Sequence, residues 1–391
     1  MAVPAASNGS TTPASAPPIP LYHQSSQYRS APPTVLTALN RSLTSYARRN
    51  WRYSKQELDK IREELNKQAV QRVQSLWEEE RAQHAAATTA SSVPADSSAS
   101  TSEPPSNAPT PPPASEIEYL TVADEQSLVT YYLTQIPALC GAYQFPEMVQ
   151  ATAMTYLKRF YLRNTCMDYH PKNVMLTCLF LATKTENFMI PIDAFAAKIK
   201  TPPSDILSLE FLVSQSLRFE YKVHHAHLAL SGLLLDLQAD NLDLPTLAAA
   251  APKAHSFVRG SRQTPAELIY TPSQIAAACL RLADPSLVDT WLRAKTEHAA
   301  AKKQTGAEEG EVMIQLLDQI GEMVLEVQRT PLDKAKVKDA DRRLRWASNP
   351  EKDPKSALFK KRKAEEEAQR EEKERAKAAK RPPNDDASVF D

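Results

Sequence analysis

Glycine is scarce in this sequence. Only 7 of the 391 residues are glycine, whereas the average usage of about 7% would give roughly 27. Loops that cradle nucleotide phosphates, such as the Walker A loop and the glycine-rich loop of kinases, need clustered glycines, because only glycine lets the backbone close on a phosphate. No such cluster occurs, so the sequence argues against the enzyme classes that depend on these loops.

Cysteine is also scarce, and its spacing is uninformative for metal binding. Cys140, Cys166, Cys178 and Cys279 lie far apart, without a CxxC pair or a spacing typical of zinc sites. Cys178 and Cys279 each lie in an apolar run, which predicts buried thiols that act as small hydrophobic side chains. We therefore expect a reduced, intracellular protein that binds no metal and no cofactor.

Long apolar runs and an excess of one charge are absent as well. No uninterrupted apolar run approaches 18 residues, and no basic segment followed by an apolar segment opens the chain. We therefore expect neither a membrane span nor a secretory signal. Lys+Arg and Asp+Glu number 47 each, so the whole chain has no net attraction to nucleic acid or to an anionic membrane.

Proline and small polar residues divide the chain into segments. Ser54 and Glu57 form a capping box that predicts the start of a helix with an apolar stripe. Segments rich in Pro, Ser, Thr and Ala cannot bury enough apolar surface to offset the entropy of ordering. The predicted segments outside the central region are a mostly disordered part with a short docking motif at 1–53, a helix at 54–81, a disordered linker at 82–115, and a charged helix and tail at 331–391.

The central region predicts an all-α fold, because its pattern is helical, no period-two strand occurs, and prolines such as Pro137 separate short helices. Residues 171–182 also match residues 272–283 at a constant offset. Both stretches carry proline in the first turn and are apolar nearly all round, as expected for the buried central helix of a bundle. The sequence therefore predicts two helical bundles in tandem, at 116–222 and 223–330.

This arrangement resembles the tandem boxes of the cyclin family. Ordered pieces along the chain resemble the cyclin H group in particular, and they are Leu21–Gln27, Trp51–Leu58, Tyr156–Tyr161, Tyr169–Pro171, Met175–Ala182 and Tyr270–Ile275. Members of that group are regulatory subunits of the CDK-activating kinase in general transcription factor IIH. The resemblance implies a nuclear, non-catalytic protein that activates a cyclin-dependent kinase acting on kinase activation loops and on the RNA polymerase II C-terminal domain.

The resemblance also implies two site residues and two partners. The family's kinase-binding Lys and Glu match Lys184 and Glu210, which can satisfy exposed carbonyls and amides of a kinase helix. The alternative for both is an ordinary solvated polar residue. The implied partners are the kinase catalytic subunit and a ring-finger assembly subunit. The stretch 124–132 lacks the Met-Arg-x-x-Leu motif and the Trp that dock substrates in cell-cycle cyclins, so no substrate recruitment is expected there.

Two other functions stay open. One is another transcriptional cyclin, of the C or T/K type. The other is a transcription factor IIB-like double cyclin fold that binds DNA, which should present a basic face. Residues 116–330 instead contain 18 Lys+Arg and 24 Asp+Glu, a formal charge of −6, so we expect no direct contact with nucleic acid.

Two clusters have both a functional and an ordinary interpretation. His224, His225 and His227 suggest a metal, but consecutive residues point to different helix faces, so capping or interface roles are favoured. The basic clusters at 360–363 and 377–381 fit a nuclear localisation signal or a solvated helix with internal ion pairs, and both interpretations stay open.

Overall fold

The described part of the chain is entirely helical. The computed structural model describes residues 51–90, 117–239, 244–300 and 306–379. These residues form fourteen α-helices and one 3₁₀ turn, with no strand among them, which confirms the predicted all-α fold. No helix in these ranges is long and apolar enough to cross a membrane. The predicted docking motif at 21–27 and the basic cluster at 380–381 lie outside them.

The helices fall into four groups along the chain. The N-terminal helix is α1 (Lys55–Ala90). The first bundle comprises α2 (Val122–Tyr143), α3 (Glu147–Phe160), α4 (Pro171–Thr185), α5 (Ile192–Ile199) and α6 (Pro203–Ser216). The second bundle comprises α7 (Ala226–Ala239), α8 (Leu244–Ser261), α9 (Ala266–Ile269), α10 (Pro272–Ala283), α11 (Pro285–Ala300) and α12 (Gly306–Arg329). The C-terminal group comprises α13 (Lys334–Ala347), the 3₁₀ turn (Pro350–Lys352) and α14 (Ala357–Ala379).

The two matching stretches are the central helices of the two bundles. Helix α4 begins at Pro171, where His170 Nδ1 accepts a hydrogen bond from the backbone N–H of Lys172. Helix α10 begins at Pro272, and a capping box formed by the two residues Thr271 and Gln274 closes its first turn. Proline suits this position because the first helical N–H needs no intrahelical partner. Each helix packs against its bundle neighbours, so the predicted repeat is confirmed.

The cysteines of these two helices occupy equivalent buried places. Cys178 and Cys279 are both fully buried within their bundles. Burial raises the pKa of both thiols, that of Cys279 to about 12, because the charged thiolate is poorly solvated there. Both therefore act as small hydrophobic side chains, which confirms the prediction from their apolar surroundings.

Two helix boundaries differ from the sequence predictions. Pro137 lies inside α2 rather than at a break. A proline within a helix removes one backbone hydrogen bond, and α2 continues because Leu133, Ile136 and Cys140 on either side are buried in the first bundle. The N-terminal helix ends at Ala90 rather than at residue 81. The stretch beyond residue 81 is rich in alanine, which has the highest helix propensity.

The N-terminal and C-terminal helices contact each other. The predicted capping box opens α1, with Ser54 and Glu57 exchanging hydrogen bonds of 2.7 and 3.2 Å. Towards the C-terminal end of α1, the buried carboxylate of Glu80 accepts three hydrogen bonds. The donors are Ser356 Oγ and the backbone N–H groups of Ala357 and Leu358, each at 2.9 Å. The side chain of Glu80 thereby caps the first turn of α14.

Candidate functional site

Lys184 and Glu210 lie together on the surface of the first bundle. Lys184 is in the last turn of α4, and Glu210 is in α6. Lys184 Nζ lies 2.5 Å from Glu210 Oε1, and the two side chains are 39% and 23% exposed. A partner can therefore reach both, and the pair presents adjacent donor and acceptor groups.

The core of the first bundle holds this pair in position. Lys184 Nζ lies 4.5 Å from the centre of the Phe180 ring, and that ring is buried in the core. In α6, the hydroxyl of Ser214 donates to the backbone carbonyl of Glu210 at 2.8 Å. Because α4 is buried along nearly its whole length, its last turn cannot shift without disturbing the packed core.

Exposed apolar side chains lie on α6 and on the turns that follow α4 and α6. They are Phe188 (43% exposed), Met189 (77%), Leu207 (42%), Phe211 (66%) and Phe219 (54%). The rings of Phe211 and Phe219 lie 6.2 Å apart, and the ring of Phe188 meets that of Phe145 edge-on at 5.6 Å. Exposed apolar side chains around polar groups are typical of a surface that binds another protein.

The turns that carry two of these aromatic residues have unusual backbone conformations. Asn187 has a φ of 57°, and Arg218 and Phe219 have φ values of 56° and 57°. A left-handed conformation is uncommon for residues other than glycine and is unfavourable for a bulky one such as Phe219. Tight turns hold these conformations, since the N–H groups of Phe188 and Phe219 bond to the carbonyls of Thr183 and Ser214 at 2.8 and 2.9 Å.

Sequence reasoning identified the charged pair but not these apolar residues. The apolar residues of α6 fall on all sides of the helix, so Leu207 and Phe211 could not be distinguished from core residues by periodicity. One available signal was that α6 has more apolar residues than one buried stripe of a short helix requires.

A buried polar network joins the two bundles. Lys158 of α3 is 2.6 Å from Glu267 of α9, and its ammonium group also donates to the backbone carbonyls of Arg262 and Thr264 at 2.9 and 3.3 Å. Burial lowers the pKa of Lys158, with the ion pair opposing it. Burial would raise the pKa of Glu267, but the Lys158 ammonium holds it below its ordinary value. The ion pair therefore opposes the loss of either charge on burial, and it links α3 of the first bundle to α9 of the second.

The histidine cluster belongs to this network. Thr152 donates to Glu186 at 2.5 Å, so its oxygen can accept a hydrogen bond from His225 Nε2–H, 2.8 Å away. His227 stacks on His225 at 5.4 Å and contacts Arg262 at 3.1 Å. Both histidines thus have interface roles, and no metal-binding group of three or more His, Cys, Asp or Glu occurs among the described residues.

The buried His225 gives a pH prediction. Burial lowers its pKa from an ordinary 6.5 to about 3. Below pH 6.5 the unfolded chain therefore takes up a proton at His225 that the folded chain does not. As the pH falls from 6.5 towards about 3, the free energy of unfolding decreases by about 1.4 kcal/mol per pH unit. We expect the difference in unfolding free energy between wild type and His225→Asn to shrink by about 1.4 kcal/mol between about pH 7.5 and about pH 5.5. Urea unfolding at both values measures it, and an unchanged difference would contradict a neutral, buried His225.

The Trp51 segment lies at the junction of the two bundles. Trp51 Nε1 donates to Glu220 at 2.7 Å, and the guanidinium of Arg159 lies 4.7 Å from the centre of the Trp51 ring. The backbone N–H of Tyr53 donates to the carbonyl of Leu268 in the second bundle at 2.8 Å. The chain entering α1 therefore contacts both bundles.

Helix α13 packs against α2, which contains the stretch that lacks the substrate-docking motif. Arg343 Nη2 lies 2.9 Å from Asp124 at the start of α2, and His170 Nε2 lies 2.9 Å from Asp341. Leu128 of α2 and Leu344 of α13 belong to one buried apolar cluster. Part of the α2 surface is therefore occupied by the chain's own C-terminal helix.

Comparisons with known families identify the two bundles. The family model described as "Cyclin, N-terminal domain" matches residues 118–222, and the one described as "Cyclin C-terminal domain" matches residues 225–326. Together these models match more than half of the chain. The match of both models in tandem agrees with the two helical bundles around α4 and α10.

Individual relatives and one solved structure agree with this assignment. Cyclin mcs2 of Schizosaccharomyces pombe is 32% identical over 255 residues, covering 64% of this chain and 74% of the relative. Cyclin-H of Xenopus laevis is 32% identical over 178 residues, covering 43% and 55%. The chain spans about half of the length of several other curated relatives that it matches. A chain of the CAK complex from Chaetomium thermophilum has the same fold, with a TM-score of 0.64 and 24% identity over 91% of this chain and 98% of that one.

Three findings agree: the tandem bundles, the matches of the two family models, and the match to cyclin mcs2, of which this chain covers 74%. This chain belongs to the cyclin family, and cyclin H is among its relatives.

Proposed function

We propose that this chain binds and activates the catalytic subunit of a cyclin-dependent kinase, in a CDK-activating kinase or transcription factor IIH complex. The activated kinase phosphorylates kinase activation loops and the RNA polymerase II C-terminal domain. The observation that carries the proposal is the exposed pair of Lys184 and Glu210, held on a rigid core and bordered by exposed aromatic side chains.

The chemistry of this surface suits a helix as its target. The ends of a helix leave backbone carbonyls and amides without partners. The three donors of the Lys184 ammonium can satisfy carbonyls, and the oxygens of Glu210 can accept from amides. Phe188, Phe211 and Phe219 supply apolar area beside these polar groups, as in the core of a protein interface.

A rigid surface can activate a kinase by selecting one conformation. A kinase must bring the Glu of its mobile helix to its catalytic Lys, and must order its activation loop, before phosphoryl transfer becomes efficient. A partner that binds the active position more tightly than the inactive one shifts the population towards it. The proposed role needs no catalytic group from the cyclin itself.

The relatives support this role. Cyclin mcs2 and Xenopus cyclin-H share the family, and the Chaetomium chain of the same fold is part of a CAK complex bound to ATPγS. We include in the proposal a nuclear location, a ring-finger assembly subunit as a third partner, and Lys184 and Glu210 as kinase-binding residues.

Reconstitution tests the proposed function. The purified chain is mixed with the catalytic subunit of a CDK-activating kinase, and the size of the complex and the phosphorylation of a polymerase-tail peptide are measured together. We expect a one-to-one complex with strongly raised activity, and no activity from this chain alone. Absence of both complex and activation would reject the proposal.

A further inference from the structure

The balanced charge of the whole chain conceals a strongly basic C-terminal region. Residues 334–363 contain 12 Lys+Arg and 4 Asp+Glu, a formal charge of +8, whereas residues 116–330 carry −6. The basic region includes α13, the 3₁₀ turn and the start of α14. Its side chains thus lie on a folded surface.

Four cations of α13 form a stripe on its solvent face. Lys334, Lys338, Arg342 and Arg345 are all exposed, and at 100° per residue their positions fall within about 80° of one another. The apolar face on the other side of the helix is buried and consists of Val337, Ala340, Leu344 and Ala347. The stripe is roughly 16 Å long at 1.5 Å per residue, and we call it the basic stripe.

The four acidic residues of this region have partners within the chain, and one of them, Asp339, pairs with Arg342 of the basic stripe. Asp339 pairs with Arg342 at 2.6 Å and with Arg343 at 2.9 Å. Asp341 contacts His170, Glu351 pairs with Arg362 at 2.6 Å, and the carboxylate of Asp353 accepts from the backbone N–H of Lys355. Among the described residues, the structure gives Lys334, Lys338 and Arg345 no ion pair. Most of the positive charge is therefore not neutralised within the chain.

A cavity beside the basic stripe combines arginines with an aromatic ring. It has a volume of about 470 Å³, and its lining combines Arg342, Arg343, Arg345, Trp346 and Ile117 with two carboxylates, Glu118 and Asp341. Glu118 lies 3.9 Å from Arg343 and Asp341 lies 2.9 Å from His170, so the arginines and the histidine offset these negative charges. Trp346 is only half-buried. Arginine beside an accessible aromatic ring is the combination with which proteins hold the backbone and the bases of single strands.

We propose that the basic stripe and the adjoining cavity bind single-stranded nucleic acid through its phosphodiester backbone, without sequence specificity. The basic stripe supplies the cations that replace condensed counterions, and Trp346 offers a surface on which one base can stack. Acidic side chains alone could use the charges but supply no ring to stack on Trp346, whereas each nucleotide carries both a phosphate and a base, so nucleic acid is favoured. This revises the expectation of no contact with nucleic acid, which rested on the charge of the two bundles, and it does not depend on the proposed kinase partner.

Fluorescence anisotropy of the full chain tests this proposal. The probes are a labelled oligothymidylate of about 20 nucleotides, a duplex of the same length, and an oligoglutamate of equal charge, titrated at roughly 50 to 200 mM salt. The test variant replaces the four residues of the basic stripe by Gln. The control variant replaces four exposed lysines elsewhere, Lys55, Lys60, Lys172 and Lys253, by Gln, which changes the net charge equally.

We expect the test variant to raise the Kd for the single strand by at least roughly tenfold, and to reduce the salt slope of log K by about 3. The control should change both much less. A second variant, Lys334→Gln with Lys338→Gln, touches neither the buried face nor an ion pair and should give about half of the change in slope. The proposal is overturned if test and control variants behave alike, if the duplex binds more tightly than the single strand, or if oligoglutamate binds as tightly as the oligonucleotide.

Discussion

Exchanging the charges of Lys184 and Glu210, by Lys184→Glu with Glu210→Lys, is expected to weaken kinase binding by about 2–4 kcal/mol, roughly 30- to 800-fold in Kd. The exchange keeps an ion pair at this place, so the cyclin's own stability should change little. It reverses the order in which donor and acceptor groups face the partner. Each kinase group that is bonded in the wild type then meets a group of the wrong kind, and an unpaired buried polar group is costly.

The control for this experiment is a second exposed pair. Arg329 and Glu322 of α12 lie 3.0 Å apart and are 63% and 67% exposed. Exchanging them makes the same chemical change far along the chain from the proposed interface. We expect wild-type affinity from the control and unchanged helical circular dichroism from both variants. Wild-type affinity in the Lys184/Glu210 exchange would remove these residues from the binding surface.

Glu267→Gln is expected to destabilise the fold by about 3–5 kcal/mol. The substitution removes the charge that pairs with Lys158 at 2.6 Å and leaves a buried ammonium without a counterion. Losing one partner of a buried pair costs more than losing both, because the remaining charge has no compensation. Lys158→Met with Glu267→Leu should therefore recover most of the lost stability.

Urea unfolding of these variants measures the effect. The control is Glu322→Gln, which removes one partner of an exposed pair and should change the unfolding free energy by less than about 0.5 kcal/mol. If Glu267→Gln is as mild as this control, the buried pair does not hold the two bundles together. If the double variant is worse than the single one, the stability arises from the other hydrogen bonds of Lys158 rather than from its charge.

Much of the fold was predictable from local signals. Proline at the first turn, an apolar surface nearly all round and a cysteine at the same place marked α4 and α10 as matching central helices. Ser54 and Glu57 marked the start of α1, because a capping box needs only residues three apart. Pro137 does not end α2, contrary to the prediction, because the burial of the residues around it outweighs one lost hydrogen bond.

The site was only partly predictable, for physical reasons. Lys184 and Glu210 were identified through a family resemblance, and their contact across 26 residues depends on how α4 and α6 pack. Whether Phe211 is core or surface is decided by tertiary packing, which periodicity cannot show on a helix whose apolar residues fall on all sides. The Lys158–Glu267 pair joins residues more than a hundred positions apart, and a local sequence pattern cannot predict such a pair.

Hydrogen exchange of the amide groups, with and without the kinase catalytic subunit, tests the central claim most directly. Binding at the proposed surface should slow exchange in the turn after α4 and along α6 to Phe219, where the exposed aromatic residues lie. Exchange in α13 and α14 should stay as it is in the free chain. Slowed exchange confined to the C-terminal helices, with no change between Lys184 and Phe219, would contradict the account.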